Sequence, residues 1–261
     1  MSSLSVTYVG GPTALVELAG LRFLTDPTFD AGGSDYPTTA YTLHKTQSPA
    51  IAPDALGAVD AVLLSHDHHF DNLDHAGRVS LAAARATYTT RAGAERLAGN
   101  AIGMEPWESA ELAAPGGGRV RVSATPARHG PVGGDRGPVV GFVLESSSAC
   151  DPVVYFSGDT VWFDGVAEVG RRFDVDVALL NVGAAKVAVA GPHALSFTAE
   201  DAVALANAWP RAAIVPLHFE GWTHFTEGHA EIATAFGAAG ASGRLHWLPP
   251  GRPVRMGGRS S

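Results

Sequence analysis

The chain has 261 residues and a formal net charge of −8, and 46% of its residues are hydrophobic. This length and composition favour a globular protein, expected as a single domain over residues 1–261, and they exclude a disordered chain. The acidic balance and the absence of a Lys/Arg cluster argue against nucleic acid as a main partner, because its affinity comes largely from cationic contacts to phosphates.

Three short strands are predicted at the start of the chain, over residues 4–9, 13–18 and 21–25. They are rich in branched side chains and are separated by Gly-rich turns, which predicts an antiparallel meander. The segment 26–53 that follows is polar and rich in Pro, Gly and Thr. It is predicted as a long loop, of the kind that often forms a wall or lid of a functional site.

The rest of the chain is predicted to alternate strands with helices. The predicted strands cover residues 59–64, 86–89, 119–124, 139–144, 153–156, 177–180, 212–217 and 245–248. The predicted helices cover residues 73–84, 91–99, 165–172, 198–209 and 227–238. Thr198 is expected to cap the fourth of these helices, with Asp201 at its third position. A meander followed by strand–helix alternation favours an α/β (α+β) fold, with sheets packed together and helices outside.

Cysteine usage and hydropathy bound the environment of the protein. Cys150 is the only cysteine, which excludes an internal disulfide framework and a Cys-rich zinc site. The first residues lack the basic start of a signal peptide, and no apolar run approaches the roughly 20 residues that span a bilayer. We therefore expect a cytoplasmic protein with no membrane insertion.

A dense cluster of histidines and acids directly follows the strand predicted over residues 59–64. Three histidines and three carboxylates lie within nine residues of the segment His66-Asp67-His68-His69-Phe70-Asp71-Asn72-Leu73-Asp74. Imidazole and carboxylate are the usual protein ligands of zinc and related divalent metals. The cluster therefore predicts a metal site at the end of a buried strand, although Asp74 is equally suited to cap the helix that follows.

Three further candidate ligands lie just beyond the ends of predicted strands. His129 follows the strand at 119–124, Asp159 the strand at 153–156, and His218 the strand at 212–217. Sheet ends are where open α/β architectures place their sites, so we expect these side chains to meet the first cluster. Asp159 also fits a simple turn, and Asp26 is expected to brace the meander or to support a ligand histidine.

The order of these motifs resembles the metallo-β-lactamase-fold superfamily over nearly the whole chain. It is most similar to the branch with L-ascorbate-6-phosphate lactonase and the N-acylphosphatidylethanolamine-type phospholipases D. The residues that carry the resemblance are His66 to Asn72, His129, the Ser157-Gly158-Asp159-Thr160 turn and Val215-Pro216-Leu217-His218. The resemblance implies a four-layer αββα sandwich, a metal-dependent hydrolase activity and lactonase-like chemistry.

The family's H-x-H-x-D-H motif is matched only in part. Without an insertion, Phe70 and Asp71 stand where Asp and His belong; with one extra residue, Asp71 supplies the acid and Asn72 replaces the last histidine. The resemblance then implies a first metal site of His66, His68 or His69, His129 and Asp159. The implied second site contains Asp71, Asp159 and His218, with His69 or Asn72 as a further candidate.

The same resemblance implies one or two Zn²⁺ ions, with Mn²⁺ as an alternative at the oxygen-rich site. Metal-activated water would attack a small ester, lactone or phosphodiester, with Asp71 or Asp67 taking its proton. His224 is a candidate proton donor to the leaving group, and Asp159 would hold the spacing of two metals. Residues 29–53 and 183–197 are expected to decide specificity.

The resemblance and the order of the candidate ligands also allow three other functions. They are an iron-dependent protein handling oxygen or thiols, a nuclease, and a non-catalytic metal-binding protein, the last suggested by Asn72. The acidic balance argues against the nuclease. No Walker motif and no G-x-S-x-G elbow is present, so nucleotide use and serine hydrolysis have no support in the sequence.

Overall fold

The computed structural model describes residues 4–257, which form fifteen strands and five α-helices. The strands are β1 Ser5–Gly10, β2 Thr13–Leu18, β3 Leu21–Thr25, β4 Asp35–Pro37, β5 Thr42–His44, β6 Ala61–Leu63, β7 Ala86–Thr90, β8 Ala101–Met104, β9 Ser109–Ala113, β10 Arg119–Pro126, β11 Val140–Ser146, β12 Val154–Phe156, β13 Val177–Asn181, β14 Ala213–Leu217 and β15 Pro253–Arg255. The helices are α1 His75–Ser80, α2 Arg91–Leu97, α3 Asp164–Arg172, α4 Ala199–Ala208 and α5 His229–Ala238.

Two mixed sheets form the body of the protein. The first has the strand order β15-β1-β2-β3-β6-β7-β8, and the second has the order β14-β13-β12-β11-β10-β9. The meander β1-β2-β3 is antiparallel, as predicted, and β6 joins β3 in parallel. In the second sheet β12, β13 and β14 run parallel. Parallel neighbours bring the carboxyl ends of their strands to the same edge, which is where the candidate ligands follow.

The strands alternate between two hydrophobic cores, because successive side chains point to opposite faces of a sheet. Phe23 and Leu179 pack in the core between the two sheets. Their neighbours Leu24 and Leu180 point outward, the first under the segment that contains α1 and the second under α3, α4 and α5. The layers therefore follow the order helices, sheet, sheet, helices. This order confirms the expected four-layer αββα sandwich.

Most strand predictions agree with the structure to within two residues, and the capping box of α4, with Thr198 and Asp201, is confirmed. The closing strand predicted over 245–248 is wrong, since Leu245 makes only an isolated bridge to Ile214. The predicted loop 26–53 contains the hairpin β4-β5. The unpredicted strands β8, β9 and β15 are sheet edges with few buried apolar side chains, so their apolar positions give only a weak strand signal. Among residues 4–257, no helix is long and apolar enough to cross a bilayer.

One buried ion pair ties the long loop 26–53 to α1. Asp74 caps α1 through the backbone N–H of Gly77, and it also accepts hydrogen bonds from the backbone N–H groups of Phe29 and Asp30. Lys45 Nζ lies 2.8 Å from Asp74 Oδ2, and both side chains are buried. Asp74 is therefore a helix cap that also holds the loop, rather than a candidate metal ligand.

Replacing Lys45 with Met is expected to lower the free energy of unfolding by about 3–5 kcal/mol, because it leaves the buried Asp74 carboxylate without its counter-charge. Urea unfolding followed by circular dichroism measures the change. Arg171→Met removes an exposed partner of Glu168 and should leave the midpoint unchanged. Equal midpoints for the two variants would show that the Lys45–Asp74 pair does not stabilise the fold.

Candidate metal centre

Four strand ends bring polar side chains together at one place. His66 follows β6, His129 follows β10, Asp159 follows β12 and His218 follows β14. All four residues are at most 3% exposed, although histidine and aspartate are seldom buried without a partner. Together with His69 and Asp71 they form two adjacent groups of potential metal-ligating atoms.

The first group consists of three imidazoles whose ring nitrogens face one another. His66 Nε2 lies 3.0 Å from His69 Nδ1, and His129 Nε2 lies 3.1 Å from the same atom. These spacings are close to the separation of two nitrogens bound to one metal at about 2.0–2.1 Å each. The group is a three-nitrogen site within 4.8 Å.

Neighbouring hydrogen bonds fix which nitrogen of two rings carries the proton. His129 Nδ1 lies 2.6 Å from the carbonyl oxygen of Leu195, which can only accept, so Nδ1 is protonated and Nε2 presents a lone pair. Ser65 Oγ donates to Asp26 Oδ2 at 2.7 Å and therefore accepts from His66 Nδ1 at 2.8 Å. The Nε2 of His66 is thus also a lone pair. Such hydrogen bonds to the outer nitrogen are the usual support of metal-ligating histidines.

A proton cannot satisfy this arrangement of nitrogens. If His69 Nδ1 carried a hydrogen, this single donor would face two lone pairs, those of His66 Nε2 and His129 Nε2, and could not satisfy both. Protonating the rings is also unfavourable, because burial lowers the pKa of His66 well below its usual value and lowers that of His69 to about 3. A bound cation satisfies all three lone pairs, so the donor set fits a divalent metal.

The second group joins two carboxylates to an imidazole. His218 Nδ1 lies 3.0 Å from Asp159 Oδ1, and His218 Nε2 lies 3.7 Å from Asp71 Oδ2. Asp159 Oδ2 and His218 Nε2 are buried without a hydrogen-bond partner. Asp159 Oδ2 also lies 3.7 Å from His129 Nε2. Asp159 therefore faces both groups, and its unpaired oxygen fits a second cation or a bridge between two.

Both carboxylates are held in the charged form by the histidines around them. Burial by itself would raise the pKa of Asp159, but His218, whose Nδ1 lies 3.0 Å away, outweighs it and holds the pKa well below the usual value. Asp71 follows the same pattern, with His224 and His218 lowering its pKa against the effect of burial. Ionised carboxylates in this position attract a cation.

Two residues of the site adopt backbone conformations that L-residues rarely occupy. His218 has φ of 54° and Asp26 has φ of 20°. Such conformations cost roughly 1–3 kcal/mol each and persist only where the surroundings impose them. Hydrogen bonds impose both, since His218 N–H donates to the carbonyl of Gly11 and Asp26 N–H donates to the carbonyl of Leu63.

Asn72 is fully buried beside the site and is oriented by Asp26. Its Nδ2 donates to Asp26 Oδ2 at 2.9 Å, and its Oδ1 has no hydrogen-bond partner. Asp26 also accepts from the backbone N–H of Ser65 at 2.6 Å. Burial raises the pKa of Asp26 to about 7. Asp26 thus supports both His66, through Ser65, and the residue that stands in the place of the motif's last histidine.

The structure places two of the sequence candidates outside the cluster. His68, the alternative to His69, has its Nε2 2.8 Å from the carbonyl oxygen of Arg136 and joins neither group. Asp67 was expected as a proton acceptor, but both of its carboxylate oxygens accept from Arg96. Because Arg96 already occupies this carboxylate, the geometry does not support a role for Asp67 in proton transfer.

His224 lies beside the second group, as a catalytic candidate should. Its Nε2 is 3.0 Å from Asp71 Oδ2, and its Nδ1 is buried without a partner. Both residues line a narrow cleft that opens onto the two groups. The other residues lining this cleft are Tyr41, Leu43, His69, His129, Arg136, Ala185, Val187 and Leu195. The two segments expected to decide specificity thus contribute Tyr41, Leu43, Ala185, Val187 and Leu195 to the cleft walls, and Arg136 comes from a third segment.

Several supporting residues escaped the sequence interpretation. Ser65 directly precedes His66, a position that could have suggested its role, whereas Leu195 acts through its backbone and leaves no signal in the sequence. Asn181 Nδ2 donates to Asp159 Oδ1 at 2.8 Å. Arg136 reaches the cleft from a Gly- and Pro-rich segment with no periodic pattern.

Known proteins resemble this chain over most of its length. A family model described as "Beta-lactamase superfamily domain" matches residues 21–219. A "UPF0173 metal-dependent hydrolase" of Caldivirga maquilingensis is 29% identical over 258 residues, covering 95% of this chain and 96% of the relative.

Two solved structures share the fold. Isothiocyanate hydrolase from Delia radicum gut bacteria superposes with a TM-score of 0.82 at 22% identity, covering 97% of this chain and 99% of that one. A protein of Veillonella parvula described as "a possible metal-dependent hydrolase" gives a TM-score of 0.83 at 21% identity, with 98% and 100% coverage. At these identities the likeness shows the fold alone.

Replacing Asp159 with Ala is expected to remove most of the bound metal, because this carboxylate faces both groups. Losing a supporting residue typically costs 10–100-fold in metal affinity, so loss of a direct ligand should exceed about 100-fold. Inductively coupled plasma mass spectrometry of the purified variant measures the metal content. The control is Asp164→Ala, which removes an exposed carboxylate at the start of α3. Full metal retention in Asp159→Ala would exclude Asp159 as a ligand.

Proposed function

We propose that this chain cleaves a small ester, lactone or phosphodiester with metal-activated water. The chain belongs to the family described as "Beta-lactamase superfamily domain", and it is a metallo-hydrolase of that family. The observation that carries the proposal is the position of Asp159. It stands between a group of three nitrogens and a group with a second carboxylate, and one of its buried oxygens has no protein partner. Two cations held side by side by a shared carboxylate are suited to hydrolysis.

The chemistry of the donors supports zinc in the first group. Three neutral imidazole nitrogens, from His66, His69 and His129, are a donor set that suits Zn²⁺. The second group, with Asp71, Asp159 and His218, is richer in oxygen and suits Zn²⁺ or Mn²⁺. The two carboxylates carry two negative charges, which two divalent cations more than neutralise.

A divalent cation in these groups would act as a Lewis acid, lowering the pKa of a coordinated water from about 15.7 to about 7 and polarising the reacting oxygen of the substrate. The chain itself supplies the proton transfer. Asp71 holds the His224 ring through Nε2, so the buried Nδ1 is the atom free to take up a proton and return it to the leaving group.

Protein reconstituted with zinc or manganese is expected to contain two ions per chain, one for each group of ligands. It should hydrolyse at least one member of a panel of aryl esters, lactones and phosphodiesters, and a chelator should abolish the activity until metal is restored. Metal analysis and absorbance assays on the same preparation test this. Iron as the bound metal with no hydrolysis, or no metal after reconstitution, would overturn the proposal.

His224→Ala is expected to lower kcat by about 10²- to 10⁴-fold, the usual contribution of a positioned acid or base. At saturating Zn²⁺ the metal content should stay unchanged, because His224 belongs to neither group of ligands and only supports Asp71. The matched control is His246→Ala, which removes an exposed histidine that lines no part of the cleft. Loss of metal in His224→Ala, or an unchanged kcat, would contradict its role in proton transfer.

A further inference from the structure

Arg136 lines the cleft next to the candidate metal ligands, and its charge is unmatched. Within residues 4–257 its guanidinium forms no ion pair and no hydrogen bond, and its Nε is buried without a partner. Arg96 and Arg211, in contrast, each pair with carboxylates. A buried arginine nitrogen without an acceptor is unfavourable unless a partner binds to it. The planar guanidinium of arginine can donate two parallel hydrogen bonds to the oxygens of a carboxylate or phosphate.

The backbone of Arg136 is fixed by two histidines of the site region. Its N–H donates to the carbonyl of His129 at 2.8 Å, and its carbonyl accepts from His68 Nε2 at 2.8 Å. Gly137 comes next, with φ of 104°, and a side chain there would meet His68 Nε2 at 3.1 Å. His68 therefore has a defined task outside metal binding, since it positions the arginine. The backbone position from which the guanidinium extends is therefore fixed by contacts within the site region.

The rest of the cleft offers no competing partner for Arg136. The one carboxylate among the lining residues is Asp71, which is already paired with His224. The remaining lining residues are apolar or aromatic, or are histidines of the metal centre: Tyr41, Leu43, Ala185, Val187, Leu195, His69 and His129. With a formal net charge of −8 on the whole chain, attraction of an anion has to come from a local group.

We propose that Arg136 binds an anionic group of the substrate, a carboxylate or a phosphoryl group. The substrate is then a small acid whose apolar body lies along Tyr41, Leu43 and Val187. Its anionic end pairs with Arg136, and its cleavable bond lies over the two ligand groups. Only this last point rests on the proposed function, since the anion site itself depends on Arg136 and the cleft walls.

The experiment measures binding of benzoate and phenylphosphonate to the zinc-loaded protein by isothermal titration calorimetry. Arg136→Gln should weaken at least one anion by about 10- to 100-fold, the range of charge-assisted hydrogen bonds, while Arg136→Lys retains part of the affinity. Benzamide, which is neutral, should bind the wild type and Arg136→Gln equally. The larger loss identifies the favoured anion as carboxylate or phosphoryl.

Two controls isolate the arginine. Zinc content must be equal in all variants, so that anion binding by the metal is constant, and Arg121→Gln removes an exposed arginine of β10 outside the cleft. Equal anion affinities in wild type and Arg136→Gln, or no anion binding by the wild type, would overturn the inference. Matching thermal midpoints show that the variants are folded.

A pair of esters separates this inference from the proposed function. Mono-(4-nitrophenyl) succinate carries a free carboxylate, and its methyl ester does not. Preference for the acid that is lost in Arg136→Gln supports both proposals. Equal cleavage of the two esters by wild type and variant refutes the anion site and leaves the hydrolase intact. Anion binding that depends on Arg136, with no ester cleaved, supports the site and counts against this hydrolase activity.

Discussion

The structure is organised around buried nitrogen and oxygen lone pairs that face one another. Three imidazoles, of His66, His69 and His129, point their ring nitrogens at a common place, and Asp159 adds an oxygen without a protein partner. Without a cation these contacts are unfavourable, because burial removes water that would otherwise hydrate them. The arrangement can be stable only as part of a fold that holds it against this cost, and a bound metal converts the same contacts into ligand bonds.

The fold meets that requirement through rigid supports behind each ligand. Four candidate ligands follow sheet strands whose ends meet, so the chain before each of them is fixed by ladders of hydrogen bonds. Behind them, the Leu195 carbonyl and the Ser65–Asp26 pair set the tautomers of the His129 and His66 rings. The strained backbones of His218 and Asp26 belong to the same set of constraints. Strain at such positions is maintained by the surrounding structure and is common where geometry serves chemistry.

The alignment with one extra residue in the first motif affects several side chains around the cleft. On that alignment His69 is the third nitrogen of the first group, and Asn72, tied to Asp26, stands in place of a histidine. His68, displaced from the ligands, supports the segment that carries Arg136. His224 then faces Asp71 beside the second group. The departure from the motif therefore affects the polar groups around the cleft, which is the part of a fold where proteins differ in function.

The sequence by itself determined the class of the fold, most of its strands, and the residue types at the centre. Period-2 alternation, Gly-rich turns and polar residues after apolar runs are local patterns, so His66, Asp71, His129, Asp159 and His218 could be singled out without coordinates. Only the tertiary structure places His69, and not His68, with the other ring nitrogens, pairs Asp67 with Arg96, and brings Arg136 and Leu195 to the site. The physical reason is that these outcomes depend on side-chain direction and on contacts between segments more than 20 residues apart. Edge strands such as β9 and β15 were missed for a related reason, because they are stabilised by pairing with neighbours rather than by their own pattern.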